Sequence, residues 1–147
     1  MKQKAIPYIQ NISISTDDRG LFVPLIQNLS NVLPPIIRVY YVLNFASGTI
    51  RGFHYHKYEW KYFFVVNGVA KVIALDPKKS KKKYIYTCSD KSHQLVVIPP
   101  GYANGWMSLA PNTLLLCASS LTFEESIADD RRYDPHKWGD SWSVANR

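Results

Sequence analysis

Residues Ser47–Gly68 read SGTIRGFHYHKYEWKYFFVVNG, and this stretch decides the fold of the 147-residue chain. A serine-glycine pair opens it and an asparagine-glycine pair closes it, and such pairs mark turns. Aromatic and β-branched residues predominate between the turns, as they do in β-strands. Side chains alternate between the two faces of a strand, so His54 and His56 are predicted to share one face. If that face points inward, both imidazoles reach one cavity.

The spacing of the glycines and histidines in this stretch resembles the cupin motif, which runs glycine, five residues, His-x-His, three or four residues, Glu, six residues, glycine. The position of the glutamate is held by Trp60 or Lys61, while Glu59 falls one residue early. A lysine brings positive charge where a divalent cation requires a negative ligand. In the second cupin motif, Pro-x-Gly-x-x-His, Asn104 replaces the histidine. The resemblance therefore implies a cupin without a bound metal.

The rest of the chain is also a succession of short β-type segments separated by turn residues. Their spacing favours an all-β sandwich or a jelly-roll barrel. The resemblance to the cupin motif implies the second, so we predict a cupin-type jelly roll (double-stranded β-helix) as a single domain over residues 1–147. Only the tail 120–147 changes character, becoming charged and aromatic, and we predict a short helix at Glu124–Asp130 within an otherwise irregular tail. The predicted strands are Tyr8–Ile14, Gly20–Pro24, Ile36–Phe45, Gly48–Tyr55, Lys61–Asn67, Ala70–Asp76, Lys83–Cys88, Gln94–Ile98, Gly105–Ser108 and Thr113–Ser119.

The composition favours a cytoplasmic protein. The chain is 46% hydrophobic, but its apolar residues come in short runs, none of the twenty-residue length that crosses a membrane. The N-terminus lacks the apolar core of a signal peptide. Cys88 and Cys117 are too few for a disulfide framework. We therefore expect no membrane partner.

A net charge of +7 calls for an anionic partner, and its distribution disfavours nucleic acid. Five of the eighteen basic residues are the lysines of the segment 78–83, directly after Asp76-Pro77. Such a run is typical of a solvated hairpin tip, and neither a recognition helix nor an interleaved aromatic platform accompanies it. The remaining excess of positive charge fits the binding of a small anion such as a nucleotide diphosphate.

Three side chains around the central motif suggest acid–base chemistry. A neutral imidazole titrates near physiological pH, so His54 or His56 has the chemistry of a general base toward an acidic carbon-bound proton. Lys61 begins a run that is otherwise apolar or aromatic. If it faces inward, its ammonium would stabilise an enolate oxygen; if it lies at the strand end, it would reach solvent.

A further set suggests phosphate and base binding. Arg19 and Arg51 would hold phosphates, and Phe22 would stack on a base. Taken alone, the segment DDRG at 17–20 indicates only a turn with charged residues.

Four segments together resemble the dTDP-4-dehydrorhamnose 3,5-epimerase family: DDRGLF (17–22), RGFHYH (51–56), LVVIPPGYANGW (95–106) and RRYDP (131–135). The resemblance implies a jelly roll, usually dimeric, that acts without metal or cofactor on a nucleotide-linked 4-keto-6-deoxyhexose. It implies that His54 removes the proton next to the keto group, that Asp134 orients His54, and that Lys61 stabilises the enolate. By the same resemblance Arg19, Phe22 and Arg51 hold the nucleotide diphosphate.

The segments RVYYVLN (38–44), RGFHYHK (51–57) and LLLCASS (114–120) resemble instead the dTDP-4-keto-6-deoxyglucose 3,4-ketoisomerases. In that family two histidines and a tyrosine of the preceding strand move a proton between neighbouring carbons. Tyr40 or Tyr41 matches this tyrosine, and we assign Tyr41 to catalysis and Tyr40 to substrate binding. Asn104, in place of an epimerase histidine, is also assigned to substrate binding. The D-Y-Y segment that carries the epimerases' tyrosine acid is absent, since 120–122 reads SLT.

The chemistry common to both families is enolisation beside a ketone. We predict a metal-independent isomerase that epimerises C3, C5 or both, as a homodimer, with 3,4-ketoisomerisation of the same substrate class as the alternative. A non-catalytic nucleotide-sugar-binding cupin would also explain the missing acid. A metal-dependent cupin enzyme would need His54, His56 and a third ligand such as Glu59.

Overall fold

The structure, a computed structural model, describes residues 5–27, 33–79 and 81–145. These residues form twelve strands and a seven-residue helix, α1 (Phe123–Asp129). Within the same ranges, no helix reaches the length and apolarity that a membrane crossing requires. The strands are β1 (Tyr8–Asn11), β2 (Ser15–Asp17), β3 (Gly20–Phe22), β4 (Arg38–Asn44), β5 (Ile50–Tyr55), β6 (Lys61–Asn67), β7 (Val69–Leu75), β8 (Lys83–Ser89), β9 (Gln94–Ile98), β10 (Ala103–Ser108), β11 (Thr113–Ser119) and β12 (Arg131–Arg132).

Ten of these strands form two antiparallel sheets. One sheet has the order β1-β9-β6-β11-β4 and the other the order β12-β5-β10-β7-β8, while β2 and β3 form a separate hairpin. Most neighbours within a sheet are not consecutive in the chain, as the crossing connections of a jelly roll require. The predicted all-β jelly roll is confirmed, and β6 and β11 lie at the centre of their sheet.

The main core lies between the two sheets. It includes Phe63 and Val65 of β6, Val72 of β7 and Leu115 of β11, all nearly inaccessible to solvent. Alternation along β6 puts Tyr62 and Phe64 on the other face, where the N-terminal segment covers them. The outer face of the second sheet is covered by aromatic residues of the C-terminal tail, so the central strands of both sheets are buried on two sides.

Helix α1 begins at a capping box. The Thr122 hydroxyl accepts from the backbone N–H of Glu125, and the Glu125 carboxylate accepts from the backbone N–H of Thr122. This reciprocal pair fixes the entry of the chain into the helix. The predicted helix at Glu124–Asp130 is therefore confirmed with a shift of one residue.

All ten predicted strands are present; β6, β9 and β11 have the predicted bounds, and the others differ at one or both ends, mostly by one or two residues. The first one ends at Asn11 instead of Ile14, and two short strands, β2 and β12, were not predicted. Both are polar and exposed, so they lack the apolar alternation that marks a half-buried strand. Lys78, Lys79, Lys81 and Lys82 lie in the turn between β7 and β8, as predicted, while Lys83 begins β8; residue 80 is outside the described ranges.

Gly52 marks the point where β5 and β10 approach most closely. Its φ is +140°, and a Cβ at this position would lie 2.6 Å from Gly105 Cα and 3.0 Å from Asn104 O. The pairing register of the two strands shifts at this point, between Asn104 and Trp106. Neither the backbone conformation nor the space therefore admits a side chain here.

Gly52→Ala is expected to destabilise the fold by about 3 kcal/mol, because it combines a disfavoured φ with a clash against backbone atoms. Gly48→Ala is the matched control: its φ is also positive, +81°, but nothing lies within 4 Å of the added Cβ. We expect a loss of about 1 kcal/mol there. Urea unfolding of both variants measures the difference, and equal losses would contradict the close approach.

Candidate active site

A cavity of about 650 Å³ lies on the inner side of both sheets and is closed on one side by α1. Histidine, lysine and arginine side chains converge on it together with aromatic and small residues. The lining residues are Arg38, Tyr40, Val42, Ile50, Arg51, His54, His56, Lys61, Phe63, Asn104, Gly105, Trp106, Cys117, Phe123, Ser126, Ile127, Asp130 and Arg132. The prediction that His54 and His56 share one cavity matches this arrangement.

His54 lies near the end of β5 with its side chain 35% exposed. Its Nδ1 is 3.1 Å from Asp130 Oδ1, and β12 brings the two together because Arg132 pairs with His54 across the sheet. A carboxylate only accepts hydrogen bonds, so Nδ1 carries the ring proton and the lone pair of Nε2 is left for a proton. Burial lowers the pKa of His54, although Asp130 opposes this shift. The imidazole is therefore neutral at physiological pH, as a general base must be.

Lys61 begins β6 and is 8% exposed. Its Nζ lies 2.9 Å from His56 Nε2 and 3.5 Å from Glu59 Oε2. Burial lowers the pKa of Lys61, and the carboxylates of Glu59 and Asp130 work against this. The sequence leaves open whether the Lys61 side chain points inward or reaches solvent, and in the structure it points inward.

Glu59 lies behind His56 and Lys61, and its side chain is fully buried. Burial alone would raise the pKa of this carboxyl, but the contacts with His56, Lys61 and Ser119 outweigh it and lower the pKa to about 2. A buried carboxylate persists only where donors and cations surround it. Glu59 is thus a negative charge at neutral pH, placed behind the His56 and Lys61 side chains that line the cavity.

Three arginines add positive charge to the cavity. Arg51 Nε donates to Asn44 Oδ1 at 2.6 Å, which fixes its guanidinium, and Arg38 donates to Glu59 Oε1 at 3.0 Å. Arg132 donates to Asp130 Oδ2, and its side chain is 79% exposed. A wall of this kind favours a ligand that carries phosphate groups.

Tyr40 and Tyr41 point in opposite directions, as alternation along β4 requires. Tyr40 lines the cavity opposite Cys117, whereas Tyr41 is 68% exposed and lies outside it. Of the two tyrosines, Tyr40, which the sequence analysis assigns to substrate binding, faces the cavity, and Tyr41, which it assigns to catalysis, does not. Burial raises the pKa of Tyr40, so its hydroxyl keeps its proton at neutral pH.

Asp134 lies away from the cavity, which corrects the predicted partner of His54. Its side chain is exposed and accepts from the backbone N–H of His136. The carboxylate against His54 belongs to Asp130, four residues earlier. The turn of the chain from α1 into β12 puts Asp130, and not the Asp-Pro segment, beside the histidine.

The remaining predicted binding residues have different positions. Arg51 and Asn104 line the cavity, but the Asn104 amide donates to the carbonyls of His54 and Tyr102 and so also holds the strand in place. Arg19 and Phe22 lie on the exposed β2–β3 hairpin outside the lining of this cavity, with Arg19 paired to Asp17. Their assignment to the nucleotide stays a prediction.

A metal at the two histidines conflicts with the neighbouring charges. The lone pair of His56 Nε2 would have to bind the metal, but the ammonium of Lys61 already occupies the position in front of it. Among the residues the structure describes, no group of three or more His, Cys, Asp or Glu side chains is arranged to hold a metal ion.

Comparisons with known proteins identify relatives of the chain. The family model described as FdtA, WxcM-like, C-terminal, matches residues 5–137. The spore coat polysaccharide biosynthesis protein SpsL of Bacillus subtilis (strain 168) is 24% identical over 146 residues, which cover 95% of this chain and 96% of SpsL.

Two solved structures illustrate the shared fold. The dTDP-4-dehydrorhamnose 3,5-epimerase of Bacillus anthracis str. Ames superposes with a TM-score of 0.81 at 20% identity, covering 95% of this chain and 86% of the epimerase. The TDP-quinovose 3,4-ketoisomerase WlaRB of Campylobacter jejuni superposes with a TM-score of 0.73 at 22% identity, covering 86% of this chain and 92% of the ketoisomerase. The resemblance to both groups is confirmed.

Proposed function

The chain belongs to the FdtA, WxcM-like, C-terminal family, and on that premise we propose that it is an epimerase acting on a nucleotide-linked 4-keto-6-deoxyhexose at C3, C5 or both. The observation that carries this proposal is the His54–Asp130 pair, which faces the same cavity as the buried Lys61 ammonium. A base and a cation on one cavity are the two groups that enolisation requires.

The relatives support this substrate class. The Bacillus anthracis epimerase was solved with TDP and pyrophosphate bound, and WlaRB acts on a TDP-sugar. The arginines of the cavity wall suit the diphosphate of such a ligand. The similarity to SpsL suggests a place in polysaccharide biosynthesis.

The proposed reaction begins with His54. Its Nε2 takes the proton from the carbon next to the ketone, while Asp130 stabilises the imidazolium that forms. The electron pair of the broken C–H bond moves into the enolate, whose oxygen is stabilised by Lys61. Tyr40 then gives a proton to the opposite face of the carbon, and the cycle closes when the His54 imidazolium releases its proton to solvent and the Tyr40 phenolate takes one up. This assignment gives the missing D-Y-Y tyrosine a replacement within the cavity.

The alternative, 3,4-ketoisomerisation, is favoured by the presence of both histidines in the cavity. It would require His56 to exchange a proton with the substrate. His56, however, is 4% exposed, and its Nε2 accepts a hydrogen bond from Lys61. With one accessible base, epimerisation is the better supported reaction.

Product analysis tests the proposal. Incubating the protein with dTDP-4-keto-6-deoxyglucose and following the sugar by proton NMR should yield a 4-keto sugar inverted at C3 or C5. A 3-keto product would establish the ketoisomerase instead. Binding of the sugar nucleotide without turnover would support a non-catalytic nucleotide-sugar-binding cupin.

We further propose that the protein is a cytoplasmic homodimer. Edge strand β4 and its flanks expose alternate apolar side chains, namely Ile37, Val39, Tyr41 and Phe45, all more than half exposed. A row of apolar side chains on an unpaired edge strand fits an interface between identical copies. Both cysteines are free, in agreement with a reducing compartment.

Light scattering after gel filtration is expected to give twice the mass of one chain for the wild type. Val39→Lys should shift the protein toward monomer, because it puts a charge into the apolar row. Ile85→Lys is the control, since Ile85 is also exposed but lies on β8 of the other sheet. A monomeric wild type, or an equal shift by both variants, would contradict this interface.

A further inference from the structure

We propose that Glu59 is a positioning residue of this site: it pairs with Lys61 and His56 so that His56 serves as a hydrogen-bond acceptor and the Lys61 ammonium is presented to the reacting oxygen. The inference rests on the proposed function, because it assigns a role in the same enolisation. Glu59 itself touches neither the cavity nor the substrate, and it acts through the two residues in front of it.

Every neighbour that contacts the Glu59 carboxylate is a donor. Oε1 accepts from Arg38 at 3.0 Å and from the Ser119 hydroxyl at 2.5 Å. Oε2 accepts from the Ser126 hydroxyl at 3.0 Å and lies 3.0 Å from His56 Nδ1 and 3.5 Å from Lys61 Nζ. The carboxylate thus joins β4, β11 and α1 to the two cavity residues, and its position is fixed from several sides.

The contacts around His56 favour one tautomer: Nε2 is closest to Lys61 Nζ and lies farther, 3.5 Å, from Asp130 Oδ1, while Nδ1 lies 3.0 Å from Glu59 Oε2 and 4.0 Å from Asp129 Oδ2. An ammonium has donors and no acceptor, so the Lys61 Nζ contact of 2.9 Å requires Nε2 of His56 to accept. The ring proton is then on Nδ1, which faces the Glu59 carboxylate. Two of the three ammonium protons of Lys61 point toward His56 and Glu59, so the third is left for the cavity.

The charge of Lys61 depends on the same carboxylate. Burial disfavours an ammonium, and several titratable groups surround this one. Glu59 contributes the negative charge at 3.5 Å, and Asp130, which contacts both His54 and His56, contributes a second one. The titratable groups that face Lys61 are Glu59, Asp130, His54, His56 and Cys117.

An amide in place of the carboxylate would invert this arrangement. A glutamine has one accepting oxygen and one donating NH₂, whereas both oxygens of Glu59 face donors. Because the Arg38 guanidinium can only donate, the amide oxygen would face it and the NH₂ would face His56 and Lys61. His56 would then carry its proton on Nε2, where it faces Lys61. The ammonium would lose both the hydrogen-bond acceptor on His56 and the negative charge of Glu59.

The test compares Glu59→Gln with Ser119→Ala, which removes a neutral donor from the same carboxylate and keeps its charge. We expect Glu59→Gln to lower kcat by about 30-fold with KM changed by less than about threefold. The alkaline limb of the kcat profile should move to lower pH, because the pKa of Lys61 falls without its counter-charge. Ser119→Ala should leave the limb in place and kcat within about threefold of the wild type.

A second readout needs no substrate. Nitrogen NMR of the imidazoles should show His56 protonated on Nδ1 in the wild type and on Nε2 in Glu59→Gln, with the signal assigned by its absence in His56→Asn. If Glu59→Gln does not fold, Glu59→Asp keeps the charge and should retain the alkaline limb. An Nε2–H tautomer in the wild type, or an unmoved alkaline limb in Glu59→Gln, would overturn the proposal. A wild type that lacks turnover but has the Nδ1–H tautomer would instead count against the proposed function and leave the placement of Glu59 supported.

Discussion

Replacing His54 by asparagine is expected to lower kcat by about 10³-fold, which is the contribution typical of a positioned general base. The asparagine amide retains a donor toward Asp130 and a similar size, but it has no group that takes a proton at neutral pH. The fold should therefore survive while proton abstraction is lost. Steady-state kinetics on dTDP-4-keto-6-deoxyglucose, with thermal unfolding as a check on folding, measure the effect.

The pH dependence of the wild type also tests the role of His54 as the base. Burial lowers the pKa of His54, so kcat/KM should stay high down to a pH below the usual histidine value and fall only as His54 becomes protonated. Asp130→Asn keeps the imidazole but removes the carboxylate that selects its tautomer, and should cost about 30-fold, less than loss of the base itself. A His54→Asn variant with more than a tenth of wild-type activity would show that another group is the base.

Replacing Lys61 by methionine is expected to lower kcat by about 300-fold, because the enolate loses the cation that stabilises its oxygen. Methionine fills most of the buried volume of the lysine stem, so the packing of β6 is preserved. Binding of dTDP, which has no ketone, should change by less than about threefold, since Lys61 is assigned to the sugar end of the cavity.

The pair of measurements separates chemistry from binding. An unchanged kcat in Lys61→Met would contradict the assignment of this ammonium to the enolate. A large loss of dTDP affinity with little change in kcat would assign Lys61 to the nucleotide instead. Circular dichroism and thermal unfolding of the variant exclude a general loss of structure, which matters because Glu59 loses one of its two cationic neighbours.

The sequence predicts much of the fold because the strands are strongly patterned. Runs such as KYFFVVN at 61–67 carry apolar, aromatic and β-branched residues between clear turn signals, and the sheet follows from them. The edges are less predictable. β12 has two exposed arginines, and its strand conformation comes from pairing with β5, a tertiary contact with no local signature.

The candidate site was likewise predictable from the sequence only in part. The spacing of His54 and His56 predicts a shared strand face, and in the structure that face points inward so that both line one cavity. Choosing between Tyr40 and Tyr41 needs the inward face of β4, which the strand's half-buried pattern leaves open, and the structure places Tyr40 inside. Asp130 was missed because carboxylates at 129, 130 and 134 compete, and only the turn from α1 into β12 selects one of them.

Glu59 is instructive for a different reason. Its place one residue early in the cupin pattern indicates a lost metal ligand, and a charged side chain is seldom fully buried. The structure gives it a set of donors drawn from β4, β11 and α1, which lie far apart in the sequence. No local sequence pattern predicts this set of donors, so the role of Glu59 can be inferred only from the folded structure.

Solvent deuterium incorporation tests the central claim, enolisation by His54, most directly. dTDP-4-keto-6-deoxyglucose is incubated in deuterium oxide with the wild type and with His54→Asn, and the ring protons are followed by NMR. The account predicts that the C3 or C5 proton signal disappears with the wild type and persists with His54→Asn. Retention of both signals with a wild type that binds the sugar nucleotide, or equal exchange with both proteins, would contradict it.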